Sequence, residues 1–283
     1  MNNSKKIILF CLFIATFFSC SSIKTNKEVN VLFIGNSYTY FYKMPNTLQS
    51  MLNETNPNIK ISQITFPGMQ LNDHLEDVVT ETEDENSIST RPKTEGELTE
   101  TEKKILEKKW DYIILQTGTV TILIPENVDA KINKAIVSIK SLNTNPNCKF
   151  ILFETWASLQ KYPKKYCYSS EHIYKVSDGK KYCSAEIKNL EEEVKLIQNS
   201  YTKIAKENSL IKTNNCYKFY TVLKNYPSIS LYDDEDHPNG NGSFLNACVF
   251  YKLITNKNLN DLKFHGEIDK MTAQTIKKVV QEK

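Results

Sequence analysis

The sequence predicts an α/β protein, a three-layer α/β/α sandwich built on a mostly parallel sheet of five strands. Short apolar runs alternate with longer amphipathic ones along the 283 residues, a pattern typical of strands connected by helices. The strand candidates are nearly continuous in apolar residues, as expected for strands covered on both faces. Hydrophobic residues make up 40% of the chain and charged residues 24%, which is ordinary for a globular domain.

Five short apolar runs are predicted to be strands. They lie at residues 29–34, 59–65, 112–115, 150–153 and, as a short fifth strand, near 210–211. The predicted helices lie between and after them, at 44–53, 130–142, 185–208 and 242–255. In the third of these helices Leu190, Val194 and Ile197 begin an apolar stripe at helical spacing.

Two polar stretches interrupt the alternation and are predicted to be surface insertions. Residues 81–101 are rich in Glu and Thr, so we expect this insertion to be partly disordered. Residues 158–182 form the second insertion. Cys167 and Cys183 flank its Tyr- and Lys-rich part, and they are candidates for a disulfide in an oxidising compartment.

The N-terminal residues predict export. Lys5 and Lys6 precede an apolar run, 7–18, that is too short to span a bilayer and ends at Ser19-Cys20. Cys20 resembles the lipidated cysteine of a bacterial lipobox. We expect a signal peptide at 1–19, a lipidated Cys20 with a tether to residue 27, and a domain over 28–283. The protein would be a lipoprotein of the bacterial cell envelope, periplasm-facing or on the cell surface. A plain signal peptide or an anchor helix are the alternatives.

Charge and motifs exclude several function classes. The formal net charge is +3, and the lysines are interleaved with Glu, whereas nucleic-acid binding needs clustered basic side chains. We therefore expect no nucleic-acid partner. The sequence contains no Gly-x-Ser-x-Gly elbow, P-loop, Gly-x-Gly-x-x-Gly or His-Glu-x-x-His motif. It also has no Cys/His cluster with zinc spacing, so we expect no metal and no cofactor.

Polar residues follow the predicted strands at the sheet edge where α/β proteins bind ligands. Ser37 follows the first strand, Gly68 the second, Gln116 the third and Trp156 the fourth. We expect Trp156 to be either a core residue or a wall of the substrate pocket. His237 lies in an acidic loop before the last predicted helix.

These residue types are the ones that a serine hydrolase needs. A serine hydroxyl becomes nucleophilic when a histidine takes its proton, and a carboxylate orients that histidine. Of the four histidines, His237 alone has carboxylates crowded around it. Asp234 is chosen as its partner on spacing, with Asp233 and Asp236 left open. The other histidines, His74, His172 and His265, are expected on the surface.

The same residues resemble the sequence blocks of SGNH/GDSL hydrolases. Gly35-Asn36-Ser37 is similar to their first block, Gly68 to the second, and Asp234-Glu235-Asp236-His237 to the Asp-x-x-His signature of the last. The resemblance covers residues 29–253 and points to the exported lipoprotein branch with a flavodoxin-like sheet. It implies a serine esterase with Ser37 as nucleophile, His237 as base and Asp234 as its orienting carboxylate. The N–H groups of Ser37 and Gly68 would form part of the oxyanion hole.

The third block departs from the family pattern. Val120 stands where the family places an asparagine that donates to the oxyanion, so Gln116 is expected to supply an amide instead. The resemblance and the predicted export suggest an acylated carbohydrate as substrate. The alternative is a non-catalytic glycan-binding lipoprotein with a degenerate site, which Val120 favours. A lipase would need a long apolar acyl pocket that the sequence does not reveal.

Overall fold

Five parallel strands form the centre of the protein. The computed structural model describes residues 27–84 and 87–282. Numbered along the chain, the strands lie side by side in the order 2-1-3-4-5, and every neighbouring pair is parallel. They are β1 (Val29–Gly35), β2 (Ile59–Thr65), β3 (Tyr112–Gln116), β4 (Lys149–Phe153) and β5 (Ile211–Lys212). The predicted fold class and all five predicted strands are thereby confirmed.

The strand sequences explain why the sheet is buried on both faces. Val31 and Phe33 of β1 enter one hydrophobic core, and Leu32 and Ile34 enter the other. Successive side chains of a strand point to opposite faces, so a continuous apolar run requires a helical layer on each side. The described helices supply both layers.

Eight helices contribute most of the two layers in the described residues. They are α1 (Ser37–Tyr40), α2 (Met44–Thr55), α3 (Glu100–Leu106), α4 (Asn133–Leu142), α5 (Leu190–Glu207), α6 (Asn215–Asn225), α7 (Gly240–Thr255) and α8 (Lys270–Gln281). Helices α2, α7 and α8 pack on one face of the sheet, and α3, α4 and α5 on the other. Shorter helical turns cover Phe41–Lys43, Asp73–Glu76, Thr119–Leu123, Pro125–Asn127, Val128–Ile132, Ser170–Tyr174 and Leu259–Asp261.

The helix predictions needed several corrections. Four of the described helices were not predicted, namely α1, α3, α6 and α8, and because α8 follows α7, the helix predicted at 242–255 is not the last. The predicted helix 185–208 begins only at Leu190, because the Asn189 side chain accepts a hydrogen bond from the N–H of Glu192 and caps the helix there.

Both polar stretches contain regular structure. Strands Asp77–Asp84 and Ser87–Pro92 pair in an antiparallel hairpin that overlaps the first predicted insertion, in place of the partial disorder expected. In the second, Cys167–Ser169 pairs with Lys181–Cys183, and Cys167 and Cys183 form the disulfide for which they were candidates.

The predictions for the N-terminus concern residues that the structure does not describe. The signal peptide, Cys20 and the tether before residue 27 lie outside the described residues. Among the helices that the structure describes, none is long and apolar enough to cross a lipid bilayer.

Candidate active site

Three predicted residues meet in one hydrogen-bonded chain. Ser37 Oγ lies 2.8 Å from His237 Nε2, and His237 Nδ1 lies 2.7 Å from Asp234 Oδ2. The second oxygen of Asp234 accepts a hydrogen bond of 2.6 Å from the backbone N–H of His237. Asp234 is therefore the aspartate that contacts the imidazole ring, and both distances suit proton transfer and ring orientation.

The carboxylate of Asp234 is held in its charged form. Partial burial alone would raise the pKa of Asp234. The hydrogen bonds from the backbone N–H groups of His237 and Asp236, together with that from the His237 ring, outweigh this effect and lower the pKa below its usual value. A charged Asp234 stabilises a protonated imidazole and fixes which ring nitrogen carries the proton at rest.

Strand β1 carries Ser37 to the point where the order of the sheet reverses. Its neighbours are β2 on one side and β3 on the other, and ligands of open α/β sheets bind at such switch points. Asn36 ends the strand and caps α1, its side-chain oxygen accepting from the N–H of Tyr38 at 3.2 Å. Its side-chain NH₂ donates to the carbonyl of Met69 at 3.0 Å. Residues 35–38 are called the nucleophile turn here, after the role predicted for Ser37. Asn36 thus joins the nucleophile turn to the loop that follows β2.

Gly68 lies in that loop, in a conformation suited to glycine. Its φ of +66° is in the left-handed region, where other residues are strained. The Asn36–Met69 hydrogen bond holds this loop beside Ser37. The loop that contains Gly68 is therefore tied to the turn that contains Ser37, and a contribution of the Gly68 N–H to an oxyanion hole stays a prediction.

Gln116 occupies a different place from the one expected. Its side chain is fully buried, and its carbonyl oxygen accepts from the N–H of Asn36 at 2.8 Å and from the hydroxyl of Thr39 at 2.9 Å. The amide fills the space left by the missing side chain of Gly35, where an added Cβ would lie 2.4 Å from this oxygen. Gln116 therefore supports the nucleophile turn through its side-chain oxygen, while its buried Nε2 has no hydrogen-bond partner among the described residues. The direct contact with an oxyanion stays a prediction.

Of the two positions expected for Trp156, a core residue or a wall of the substrate pocket, the structure shows the first, so the substrate-binding role is not supported. Its side chain is only 2% exposed, and its ring stacks on Phe219 at a centroid distance of 4.2 Å. The indole N–H donates to the carbonyl of Asp236 at 2.9 Å. Trp156 is a core residue that anchors residues 233–237, which we call the catalytic loop after the role predicted for His237.

The catalytic loop has further anchors. The N–H of Leu159 donates to the carbonyl of Glu235 at 2.8 Å, and the N–H of Asp233 donates to that of His237 at 2.9 Å. Tyr42 donates its hydroxyl to Asp233 Oδ1 at 2.6 Å. The loop therefore depends on the chain after β4 and on the chain after α1 for its position.

His74 is buried, contrary to the surface position expected. It is 1% exposed, with Nε2 3.0 Å from the carbonyl oxygen of Gly35 and Nδ1 2.7 Å from the hydroxyl of Thr101. Burial lowers the pKa of His74 to about 4, although the hydrogen bond to Gly35 opposes the shift. His74 is therefore neutral at pH 7, and its contact with the carbonyl of Gly35 stabilises the end of β1.

Sequence reasoning missed the aromatic rings around the base. Phe41 stacks on the His237 ring at a centroid distance of 4.3 Å, and Tyr38 meets the ring edge-on at 5.4 Å. Both rings follow Ser37 within four positions. The dense aromatic run of residues 38–42 was the signal that could have identified them.

Solved structures of other proteins share this fold. A DUF4886 family protein from Bacteroides uniformis superposes with a TM-score of 0.64 and 16% identity, over 90% of this chain and 94% of that one. A candidate SGNH hydrolase from Slackia heliotrinireducens superposes with a TM-score of 0.53 and 15% identity, over 81% of this chain and 100% of that one. A variant of an acetyl xylan esterase from Geobacillus stearothermophilus superposes with a TM-score of 0.51 and 14% identity, over 81% of this chain and 95% of that one.

These similarities identify the fold. The chain has the α/β/α fold of SGNH hydrolases, with its five-stranded parallel sheet. The sequence matches no known protein-family profile and no curated protein.

Proposed function

We propose that the protein is a serine esterase that removes acyl groups from carbohydrate through an acyl-enzyme on Ser37. The observation that carries the proposal is the hydrogen-bonded chain from Ser37 through His237 to Asp234. A binding protein that had lost catalysis would have no use for this chain of contacts. Its presence favours the esterase over the glycan-binding alternative.

The proposed reaction has two steps. His237 Nε2 takes the proton of Ser37 as its Oγ forms a bond to the ester carbonyl carbon. The C–O bond to the sugar then breaks, and the same proton passes to the departing sugar oxygen. In the second step His237 removes a proton from water, which attacks the acyl-serine ester. The carboxylic acid leaves, and the proton returns to Ser37 Oγ.

Two backbone donors are assigned to the oxyanion that forms in each step. They are the N–H groups of Ser37 and Gly68, which the Asn36–Met69 hydrogen bond holds in fixed relation. Each such donor is worth about 3 kcal/mol of transition-state stabilisation when it points at the oxyanion. Gln116 contributes indirectly, by holding the N–H of Asn36.

The carbohydrate part of the proposal draws support from the structural neighbours. One of the similar structures is an acetyl xylan esterase, an enzyme that acts on an acylated polysaccharide. Its identity to this chain is 14%, so the acyl group and the sugar of this protein are matters for experiment.

Hydrolysis of p-nitrophenyl acetate tests the esterase directly. A version of the chain that begins at Ser21 is compared with Ser37→Ala and with Ser141→Ala, an exposed serine of α4. We expect Ser37→Ala to lower kcat by about 10⁶-fold and Ser141→Ala to leave it unchanged. Acetylated xylan is then offered with acetate release as the readout. Equal rates in the unchanged protein and Ser37→Ala would contradict the proposal.

We further propose that the protein is exported and anchored to the membrane through a lipid on Cys20. The basic, apolar and Ser19-Cys20 sequence of the N-terminus supports this. Expression of the full chain in bacteria fed a labelled fatty acid should give a labelled protein, and Cys20→Ser should remove the label. Label that persists in Cys20→Ser would contradict the anchor.

A further inference from the structure

A groove of about 670 Å³ opens beside the catalytic loop, between α2 and the chain that precedes α8. Tyr42 lies at its edge, half-exposed, with its hydroxyl bonded to Asp233 of the loop. The residue before it, Phe41, stacks on the His237 ring. The far side of the groove includes Gly240, three positions after His237. We call this feature the α2 groove; Tyr42 belongs both to its lining and to the contacts that hold the catalytic loop.

The α2 groove has one polar wall. Asn46, Thr47 and Ser50 line it from α2, and their spacing of three and four residues places them on one face of that helix. The opposite face of α2 is buried in the core through Met44 and Leu48. Within the described part of the chain, the side chains of Asn46, Thr47 and Ser50 make no hydrogen bonds to protein. Their amide and hydroxyl groups are therefore free to bind a ligand.

The other wall is aromatic. Phe264 lines it and Phe244, almost fully buried, forms part of its floor. Lys43 and Glu267 contribute one charge of each sign. The α2 groove is thus apolar on one side, rich in uncharged hydrogen-bonding groups on the other, and without net charge.

This combination selects among ligand classes. A fatty acyl chain would leave the amide and hydroxyl groups of α2 buried without partners, which costs free energy. A polyanion would need several cations, and Lys43 is opposed by Glu267. A neutral sugar ring offers an apolar C–H face to an aromatic ring and hydroxyl groups to polar side chains. The volume lies within the usual range for small-ligand sites and accommodates a short oligosaccharide.

Backbone strain marks the edge of the same groove. Tyr42 and Lys43 have φ values of 48° and 53°, so two consecutive residues other than glycine adopt the left-handed conformation. Residues other than glycine are strained in this conformation, and strain of this kind concentrates at ligand sites. Here it turns the Tyr42 side chain toward both the groove and the catalytic loop.

We propose that the α2 groove binds the neutral sugar chain of the acylated substrate, next to the ester that Ser37 attacks. The proposal rests on the esterase function proposed above. It assigns Asn46, Thr47 and Ser50 to the sugar hydroxyl groups and Phe264 to the apolar face of a sugar ring. Specificity for the sugar is then set by α2, while the catalytic loop handles the acyl group.

Binding is measured first, by isothermal titration calorimetry, with the Ser37→Ala variant of the chain that begins at Ser21. Xylohexaose, cellohexaose and mannohexaose are each titrated into this protein. We expect at least one of the three to bind. Asn46→Trp in the same background, which places an indole in the α2 groove from an exposed position, should weaken that binding tenfold or more. Ser50→Trp is the second groove variant. Val137→Trp is the matched control, because Val137 is 61% exposed on α4, on the opposite face of the sheet, and it should bind as tightly as the parent.

Catalysis is measured second, with Ser37 intact. We expect Asn46→Trp to lower kcat/KM for the acetylated form of whichever oligosaccharide binds, relative to that for p-nitrophenyl acetate, by tenfold or more. Ser37-dependent turnover of p-nitrophenyl acetate without binding of any hexasaccharide would overturn the groove proposal alone. So would equal binding by folded Asn46→Trp and Val137→Trp. Hexasaccharide binding without Ser37-dependent turnover of any ester would instead overturn the esterase.

Discussion

Replacing Gly35 by alanine tests how the nucleophile turn is supported. The new Cβ would lie 2.4 Å from Gln116 Oε1 and 2.7 Å from Thr39 Oγ1, both far inside contact distance. Gln116 is fully buried and cannot swing into solvent. The side-chain oxygen of Gln116 now accepts hydrogen bonds from the N–H of Asn36 and the hydroxyl of Thr39. The alanine methyl group would force this oxygen away from both donors.

The cost of this change follows from two contributions. Overpacking a close-packed site costs about 1–3 kcal/mol. A buried hydrogen-bonding group left without a partner costs about another 1–3 kcal/mol. We therefore expect Gly35→Ala to lower the free energy of unfolding by about 3 kcal/mol or more, out of a total of roughly 5–15 kcal/mol for a typical domain. Esterase activity should fall as well, because Asn36 precedes the nucleophile.

The assay is urea denaturation followed by circular dichroism at pH 7. Gly118→Ala serves as the stability control, since an added Cβ there meets nothing closer than Thr121 Cγ2 at 4.0 Å. It should stay within about 0.5 kcal/mol of the parent. A loss of equal size in both variants would refute the reasoning.

A double-mutant cycle isolates the contact. Gln116→Ala removes the amide that collides with the new methyl group, so Gly35→Ala should cost at least about 1 kcal/mol less in that background. Strictly additive effects would show that the two residues do not interact and that the explanation is wrong.

Three further predictions concern the site and its surroundings. Asp234→Asn should lower kcat by about 10⁴-fold, because an amide cannot stabilise protonated His237; steady-state kinetics with a loss below tenfold would remove Asp234 from the mechanism. Burial lowers the pKa of His74 from 6.5 to about 4, so the unfolded chain takes up a proton in this window and the folded one does not. The free energy of unfolding should fall as the pH drops from 6.5 to 4, by roughly 3 kcal/mol at most, and urea titrations of His74→Gln should lack this slope. Changing Cys167 and Cys183 together to serine should lower the free energy of unfolding by up to about 3 kcal/mol, and an unchanged urea midpoint would show that the segment they close unfolds independently.

The sheet was predictable because its signal is local. A strand buried on both faces needs consecutive apolar residues, and β1 and β4 contain them without interruption. Residues 59–65 of β2 also matched the strand, although their pattern is weaker. Helices α6 and α8 were missed because in each the buried apolar residues, such as Phe219 and Val222 of α6, are interspersed with Lys and Thr.

The positions of buried polar residues were not predictable in the same way. Gln116 is buried because its partner, the N–H of Asn36, lies 80 positions away and becomes its neighbour only when β1 and β3 pair. His74 is buried for a similar reason, with its partners on β1 and in α3. A polar residue gives no sign in sequence that a distant partner will meet its hydrogen-bonding needs. Catalytic residues are easier to propose, because chemistry restricts both their types and their order.

The 200 positions between Ser37 and His237 have a consequence for how the protein is made. A ribosome completes the nucleophile early and the base late, and the base is positioned only when the catalytic loop meets Trp156 and Leu159. A growing chain therefore carries a serine without its proton acceptor through most of its synthesis. Under the mechanism proposed above, ester hydrolysis would begin only when the loop that contains His237 has been positioned, so the reaction itself could report on the completion of folding.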